Sequence, residues 1–253
     1  MQKENFIILN HQDSFADILT TTVYGKILER LSSKKCVFEN ISPKREMIEN
    51  LFNETSLKFD YLSTYHIESI KKKAVILNNK NKLSRTLRKK NFHNKNYIID
   101  IKKINLKDLE FFTDETKKLF TYKNINFIVN FDILESIINS NSIGIYIDKK
   151  DKNNINCEFL TKAILRLNKY IKQPRIFIFC SEEIKPCLDL AINCSIITLA
   201  DKKEEFYFLV KCKYKIILNL KNSYSPSLLA MLLNKKDYRI NIIQKENNSL
   251  LIF

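Results

Sequence analysis

From Ser142 to Ile243, apolar runs of strand length alternate with amphipathic runs of helical period, and few architectures accept that pattern. Ser142–Ile147, Ile176–Phe179, Ser195–Leu199, Tyr214–Asn219 and Arg239–Ile243 read as strands. Phe159–Ile171, Glu182–Ile192, Glu204–Cys212 and Pro226–Leu233 read as the helices between them. A strand, a helix and another strand, repeated along the chain, imply parallel strands joined by right-handed crossovers, with helices on both faces of the sheet. In such sheets ligands gather beyond the carboxyl ends of the strands. Those ends carry Asp148, Ser181, Asp201 and Asn219, which places polar groups along one rim. The first strand runs without a spacer into Asp148-Lys149-Lys150-Asp151. Four charges there either face a ligand or form a solvated turn.

The first half opens in the same way. Phe6–Leu9 is a buried strand, Asp13 or Ser14 caps a helix, and Phe15, Ile18, Leu19, Val23, Ile27 and Leu31 line its apolar face. Cys36–Phe38 is a second strand, Ser42-Pro43 starts a helix, Tyr97–Ile101 is a strand and Leu106–Tyr122 a helix. Ile133, Leu134, Ile137 and Ile138 continue a helical stripe up to Ser142. With 253 residues the chain holds two such domains, expected at 1–140 and 141–253. The class expected is therefore α/β, with two Rossmann-like domains and parallel sheets.

Composition narrows the chemistry. Gly occurs twice, and neither G-x-G-x-x-G nor G-x-x-x-x-G-K-[ST] is present, so nicotinamide and P-loop chemistry lack their glycine devices. The three His residues (His11, His66 and His93) show no metal spacing, and the six Cys form no C-x-x-C pair, so no metal is expected. Neither a leader segment nor a spanning segment is evident, which implies a cytoplasmic protein with reduced thiols. The formal net charge of +15 favours anionic partners. Much of it falls in a basic insertion at 71–95, where ten residues are Lys or Arg and only Phe92 and His93 carry rings. Stacking side chains are too sparse there for a nucleic-acid groove. A solvated segment, or peripheral contact with the anionic inner face of a membrane, fits better.

The second half resembles the alpha-1,2-fucosyltransferases of glycosyltransferase family eleven. Their H-x-R-R-x-D motif corresponds to Tyr146-Ile147-Asp148-Lys149-Lys150-Asp151, and their F-I-F-S-D-D to Phe177-Ile-Phe-Cys-Ser-Glu-Glu183. Their E-D-M-x-L-M-x-x-C-K-x-x-I-I-A-N-S is similar, without a gap, to Glu204 through Cys212 to Asn219. The S-F-S-W-W-G-A-W-L that follows has thinned to Ser223-Tyr-Ser-Pro-Ser-Leu-Leu. Near the start, their glycine-rich R-L-x-G-G-L-G-N-Q stretch corresponds to Asn10 onward, with Asp13-Ser-Phe-Ala-Asp17 in place of the glycines.

The resemblance implies a GT-B-like pair of domains facing across a cleft, with GDP-fucose held mainly by the second and a glycan acceptor met by the first. It implies sugar transfer in the synthesis of surface polysaccharide or lipopolysaccharide, with no metal. Lys149 and Lys150 would meet the donor phosphates, and Asp151 would orient their loop or touch the nucleotide. Tyr146, Asp148, Ser181 and Glu182 would line the same rim. Asn219, Ser223 and Ser225 would lie at the phosphate end, and Asp17 would mark the acceptor-side loop. Asp148 takes the place of the first arginine of the motif, Lys149 the second, and Tyr146 the histidine. A guanidinium fork suits diphosphate better than these replacements do. A relative that has kept the fold and lost transfer, serving as a binding or scaffolding protein, is the alternative.

Overall fold

Ile7, Ile8 and Leu9 are fully buried at the centre of β1 (Phe6–Asn10), and the first sheet is built around that strand. The computed structural model describes residues 6–10, 15–38, 63–77, 85–86, 95–100, 126–185, 192, 194–218, 230, 241–244 and 250–252. The chain divides into two compact units, Met1–Asn124 and Ile125–Phe253. The boundary expected at 140 falls inside the second of them.

In the first unit, β1 pairs in parallel with β2 (Lys35–Phe38) on one side and β4 (Tyr97–Asp100) on the other. β3 (Val75–Leu77) completes the order β2-β1-β4-β3, all parallel. Helix α1 (Phe15–Ser32) buries Ile18, Leu19, Val23, Tyr24, Ile27 and Leu28. Its Glu29 accepts a hydrogen bond from the Cys36 amide at 2.9 Å, which ties the helix to β2, and Lys26 pairs with the same carboxylate at 2.7 Å. Helix α2 (Thr64–Lys71) is capped by Ser63, whose hydroxyl accepts from the His66 amide. The basic insertion is not wholly a solvated segment. It contains β3, whose Leu77 is buried. Three apolar residues in a lysine-rich surround were too short a run to stand out. The helix starting at Ser42-Pro43 and the helix over Leu106–Tyr122 lie outside the described residues.

The second unit begins with α3 (Phe131–Ile138), β5 (Asn141–Tyr146) and a short 3-10 turn (Lys149–Asn154). It continues with α4 (Cys157–Leu167), β6 (Pro174–Phe179), β7 (Ser195–Ile197), α5 (Lys202–Lys211), β8 (Tyr214–Ile217), β9 (Asn241–Gln244) and β10 (Leu250–Ile252). The sheet order is β10-β9-β8-β5-β6-β7, so the strand series steps outward one way from β5 to β7 and the other way from β5 to β9. Every pair is parallel except β9 with β10. The sequence ended the sheet at β9 and missed this antiparallel edge strand. Of the helix expected at Glu182–Ile192, residues 182–185 form a turn, and most of the rest lies outside the described residues.

Register fixes what each face of the sheet does, because alternate residues point to opposite sides. Ile143, Ile145, Ile147, Ile176, Ile178, Cys180, Ile216 and Leu218 form one core with Phe159, Leu160, Ala163, Ile164 and Leu167 of α4. The opposite face carries Ser142, Gly144 and Tyr146, with Phe177, Phe179 and Lys215 in register beside them. Helix α5 crosses it at Gly144, where a Cβ atom would lie 2.9 Å from both Cys212 Sγ and Leu209 Cδ1. A side chain at 144 would force Cys212 and Leu209 to shift, so close approach accounts for this glycine.

Candidate functional site

The strand series of the second sheet changes direction between β5 and β8, and ligands of doubly wound sheets bind outside the carboxyl ends at that crossing. β5 delivers its last residues to this place. The Ile147 amide still donates to Phe179 O at 2.9 Å, and Asp148 then caps the 3-10 turn. Its Oδ1 accepts from the Lys150 amide at 2.9 Å, and its carbonyl accepts from the Asp151 amide at 2.9 Å. A short carboxylate is well suited to capping free amides. The four charges are thereby sorted. Asp151 is fully buried, Asp148 is half-buried, and Lys149 and Lys150 are exposed.

A group of acids meets at the end of β5. The Tyr146 hydroxyl hydrogen-bonds the Asp148 carboxylate, and burial raises its pKa well above the usual phenol range. Glu205, Asp148 and Asp151 push it the same way. Tyr146 is therefore a fixed proton donor at neutral pH. Glu205 arrives from α5 with 1% of its surface exposed, and Lys202 Nζ lies 2.9 Å from both of its oxygens. Burial still holds its carboxyl above the ordinary value, against the pull of Lys202. The neighbouring Glu204 does a different job. It accepts from the Val129 and Asn130 amides at 2.8 Å each and from Asn130 Nδ2 at 3.0 Å, clasping the start of α3.

On the β6 and β7 side, Cys180 N donates to Ile197 O at 3.1 Å and prolongs the ladder past both strands. Ser181 Oγ and Thr198 Oγ1 end there buried and, among the described residues, without a hydrogen-bond partner. Buried hydroxyls in that state are groups a ligand or a water would satisfy. Thr198 was missed from the sequence, although a threonine one step past Ile196-Ile197 follows the pattern of the other strand ends. Burial also lifts the Cys180 thiol to about 11, which keeps it un-ionised and inert.

The cations of the rim are mostly paired. Lys149 Nζ lies 2.5 Å from Glu183 Oε1, both exposed, and Lys203 Nζ lies 3.5 Å from Asp201, the N-cap of α5. Lys150 and Lys185 hold no ion pair among the described residues. The structure thus brings together Asp148, Lys149, Lys150 and Asp151 on one turn, with Tyr146 at the strand end before it and Ser181 and Glu182 at the end of the adjacent strand. Asn219, Ser223 and Ser225 lie outside the described residues. Asp17 falls on α1 of the first unit, and its side chain also lies outside them. Among the described residues, no three His, Cys, Asp or Glu side chains gather into a metal-ligating group. No helix among them is long and apolar enough to cross a membrane.

No protein-family model matches the chain, and no curated protein matches it by sequence. Solved structures do match by fold. Fucosyltransferase NodZ from Bradyrhizobium superposes with a TM-score of 0.58 at 12% identity, covering 100% of this chain and 99% of that one. NodZ alpha-1,6-fucosyltransferase soaked with GDP-fucose gives 0.56 at 12% identity, with 99% of both chains covered. An Arabidopsis thaliana FUT1 variant in complex with GDP gives 0.52 at 9% identity, covering 98% of this chain and 72% of that one. The chain shares the α/β fold of these fucosyltransferases along its whole length.

Proposed function

We propose that the chain is a fucosyltransferase-like glycosyltransferase that takes GDP-fucose at the carboxyl-end rim of its second unit. The observation carrying this reading is that Lys149 and Lys150 stand exposed where the doubly wound sheet places its ligands, on a turn anchored by the buried Asp151. Tyr146 and Asp148 brace that turn from the strand end. In transfer, an acceptor hydroxyl oxygen bonds to the anomeric carbon as the bond from that carbon to the β-phosphate oxygen breaks; the electron pair leaves with GDP and the hydroxyl proton is released to water. Lys149 and Lys150 offset the charge that develops on the diphosphate, a contribution on the order of 3 kcal/mol for one well-placed donor. Ser181 and Glu182 line the neighbouring strand end, and Asn219, Ser223 and Ser225 complete the phosphate side. Asp17 belongs to the acceptor side, and the reaction needs no metal. The acceptor is a glycan, the linkage alpha-1,2 as in glycosyltransferase family eleven, and the setting surface polysaccharide or lipopolysaccharide synthesis in the cytoplasm.

A second reading, donor binding without transfer, is favoured by one observation. Rim lysines are neutralised in place, Lys149 by Glu183, Lys202 by Glu205 and Lys203 by Asp201. Thermal-shift titration with GDP, GDP-fucose, UDP and CMP, followed by an assay for released GDP, separates the two. Stabilisation by GDP and GDP-fucose alone, weakened in Lys150→Ala and strengthened severalfold in Glu183→Gln, supports donor binding at this rim. Binding without turnover on any glycan acceptor selects the second reading. No shift with any nucleotide removes both.

A further inference from the structure

We infer that the exposed face of α4 and the turn after it form a docking surface for an anionic phospholipid membrane. Lys162, Leu165 and Arg166 recur at i, i+3 and i+4, so they share one side of the helix, and Lys169 follows in the turn after it. The opposite side is spent on the core through Phe159, Leu160, Ala163, Ile164 and Leu167. Leu165 remains 50% exposed and Tyr170 68% exposed, and together with Lys162, Arg166 and Lys169 they line a shallow groove. Lys172 extends the basic strip. Between Cys157 and Arg175 the sequence holds a single acid, Glu158, which pairs with Lys162. Arg175 lies over Phe177 on the other face of the sheet and is not part of the strip.

An exposed leucine and tyrosine ringed by cations match a bilayer boundary. The leucine enters the acyl edge, the phenol stays at headgroup level, and the cations meet lipid phosphates. Nucleic acid would call for several rings at base spacing, and the strip offers one. Tyr170 and Lys172 lie just before the amino-terminal end of β6, the end of the sheet opposite Tyr146 and Asp148, a separation of about 20 Å for a six-residue strand, and Lys162 lies midway along α4. Docking through the strip leaves the rim open to solution.

The full chain is sedimented with phosphatidylcholine vesicles, with and without phosphatidylserine, at low and high salt. Binding only to the phosphatidylserine vesicles, lost at high salt, is expected. Each cation neutralised among Lys162→Gln, Arg166→Gln, Lys169→Gln and Lys172→Gln lowers it about fivefold, and Leu165→Ser lowers it further. Thermal melts establish that these surface variants fold. Because the chain contains no tryptophan, Tyr170→Trp reports on this spot alone, and its emission is expected to shift to the blue with phosphatidylserine vesicles. Undiminished binding by the four-cation variant overturns the inference. So does a Tyr170→Trp response to an RNA oligomer in place of vesicles, or no response at all.

Discussion

The two faces of the six-stranded sheet are made by the same strands and differ in every other respect. The face under α4 packs an apolar row from Ile143 to Leu218. The face under α5 carries Ser142, Gly144, Tyr146 and Lys215, and the helix covering it brings Glu204, Glu205 and Cys212, all buried. One face supplies stability through area alone, and the other adds a few directed contacts to its buried Phe177 and Phe179. The difference teaches where function can be placed. On the second face Tyr146 and Glu205, both with raised proton affinity, stand at the end nearest the candidate site.

Single substitutions test that division. The largest effect is expected on the apolar face, where Ile178→Ala leaves a cavity in a fully buried row and should cost about 4 kcal/mol in chemical denaturation. Glu204→Ala should follow at about 3 kcal/mol, because the Val129 and Asn130 amides lose a charged acceptor. A cost as small as that of a surface change would mean that the clasp is dispensable. Gly144→Ala inserts a methyl group against Cys212 and Leu209 and should destabilise by about 2 kcal/mol. Equal stability would show that α5 can slide.

The smallest effect carries a sign. Burial pushes the Lys215 ammonium from 10.5 down to about 8, while it donates to Cys212 O at 2.7 Å and Val210 O at 3.3 Å. Above about pH 8 the folded chain releases this proton and the unfolded chain keeps it, so Lys215 makes stability rise with pH up to about 10.5. Buried thiols act in the opposite direction, since Cys212 is pushed up to about 12 from 9.0. Comparing the native chain with Lys215→Met largely cancels that term. The native chain should gain about 1 kcal/mol on the variant between pH 8 and pH 9 in denaturant melts. A flat difference would mean that Lys215 titrates as it would in water.

The apolar face was legible because it is written in periodicity. β5, β6, β8 and α4 were read from the spacing of Ile and Phe alone, to within a few residues at their ends. β3 and β10 were not, because three-residue strands give no period to count. The rim was legible as a place, since strand ends can be listed from sequence. The partners at the rim were not legible. Nothing local says that Lys149 reaches Glu183, or that Glu205 turns inward to Lys202 while Glu204, one residue earlier, clasps Asn130. Adjacent residues on a helix point about 100° apart, and only packing decides which neighbour each one meets. Asp151 shows the limit best, a carboxylate in a charge run that ends fully buried.

The Glu204 clasp joins positions 75 residues apart. On a growing chain, α3 therefore emerges long before the residue that secures its first amides. Until α5 has been synthesised and has packed, the opening helix of the second unit depends on its own eight residues, too few to hold a helix in water. The unit thus closes late, and a fragment ending at β7 would contain three of the six strands of the sheet yet lack the piece that fastens its beginning.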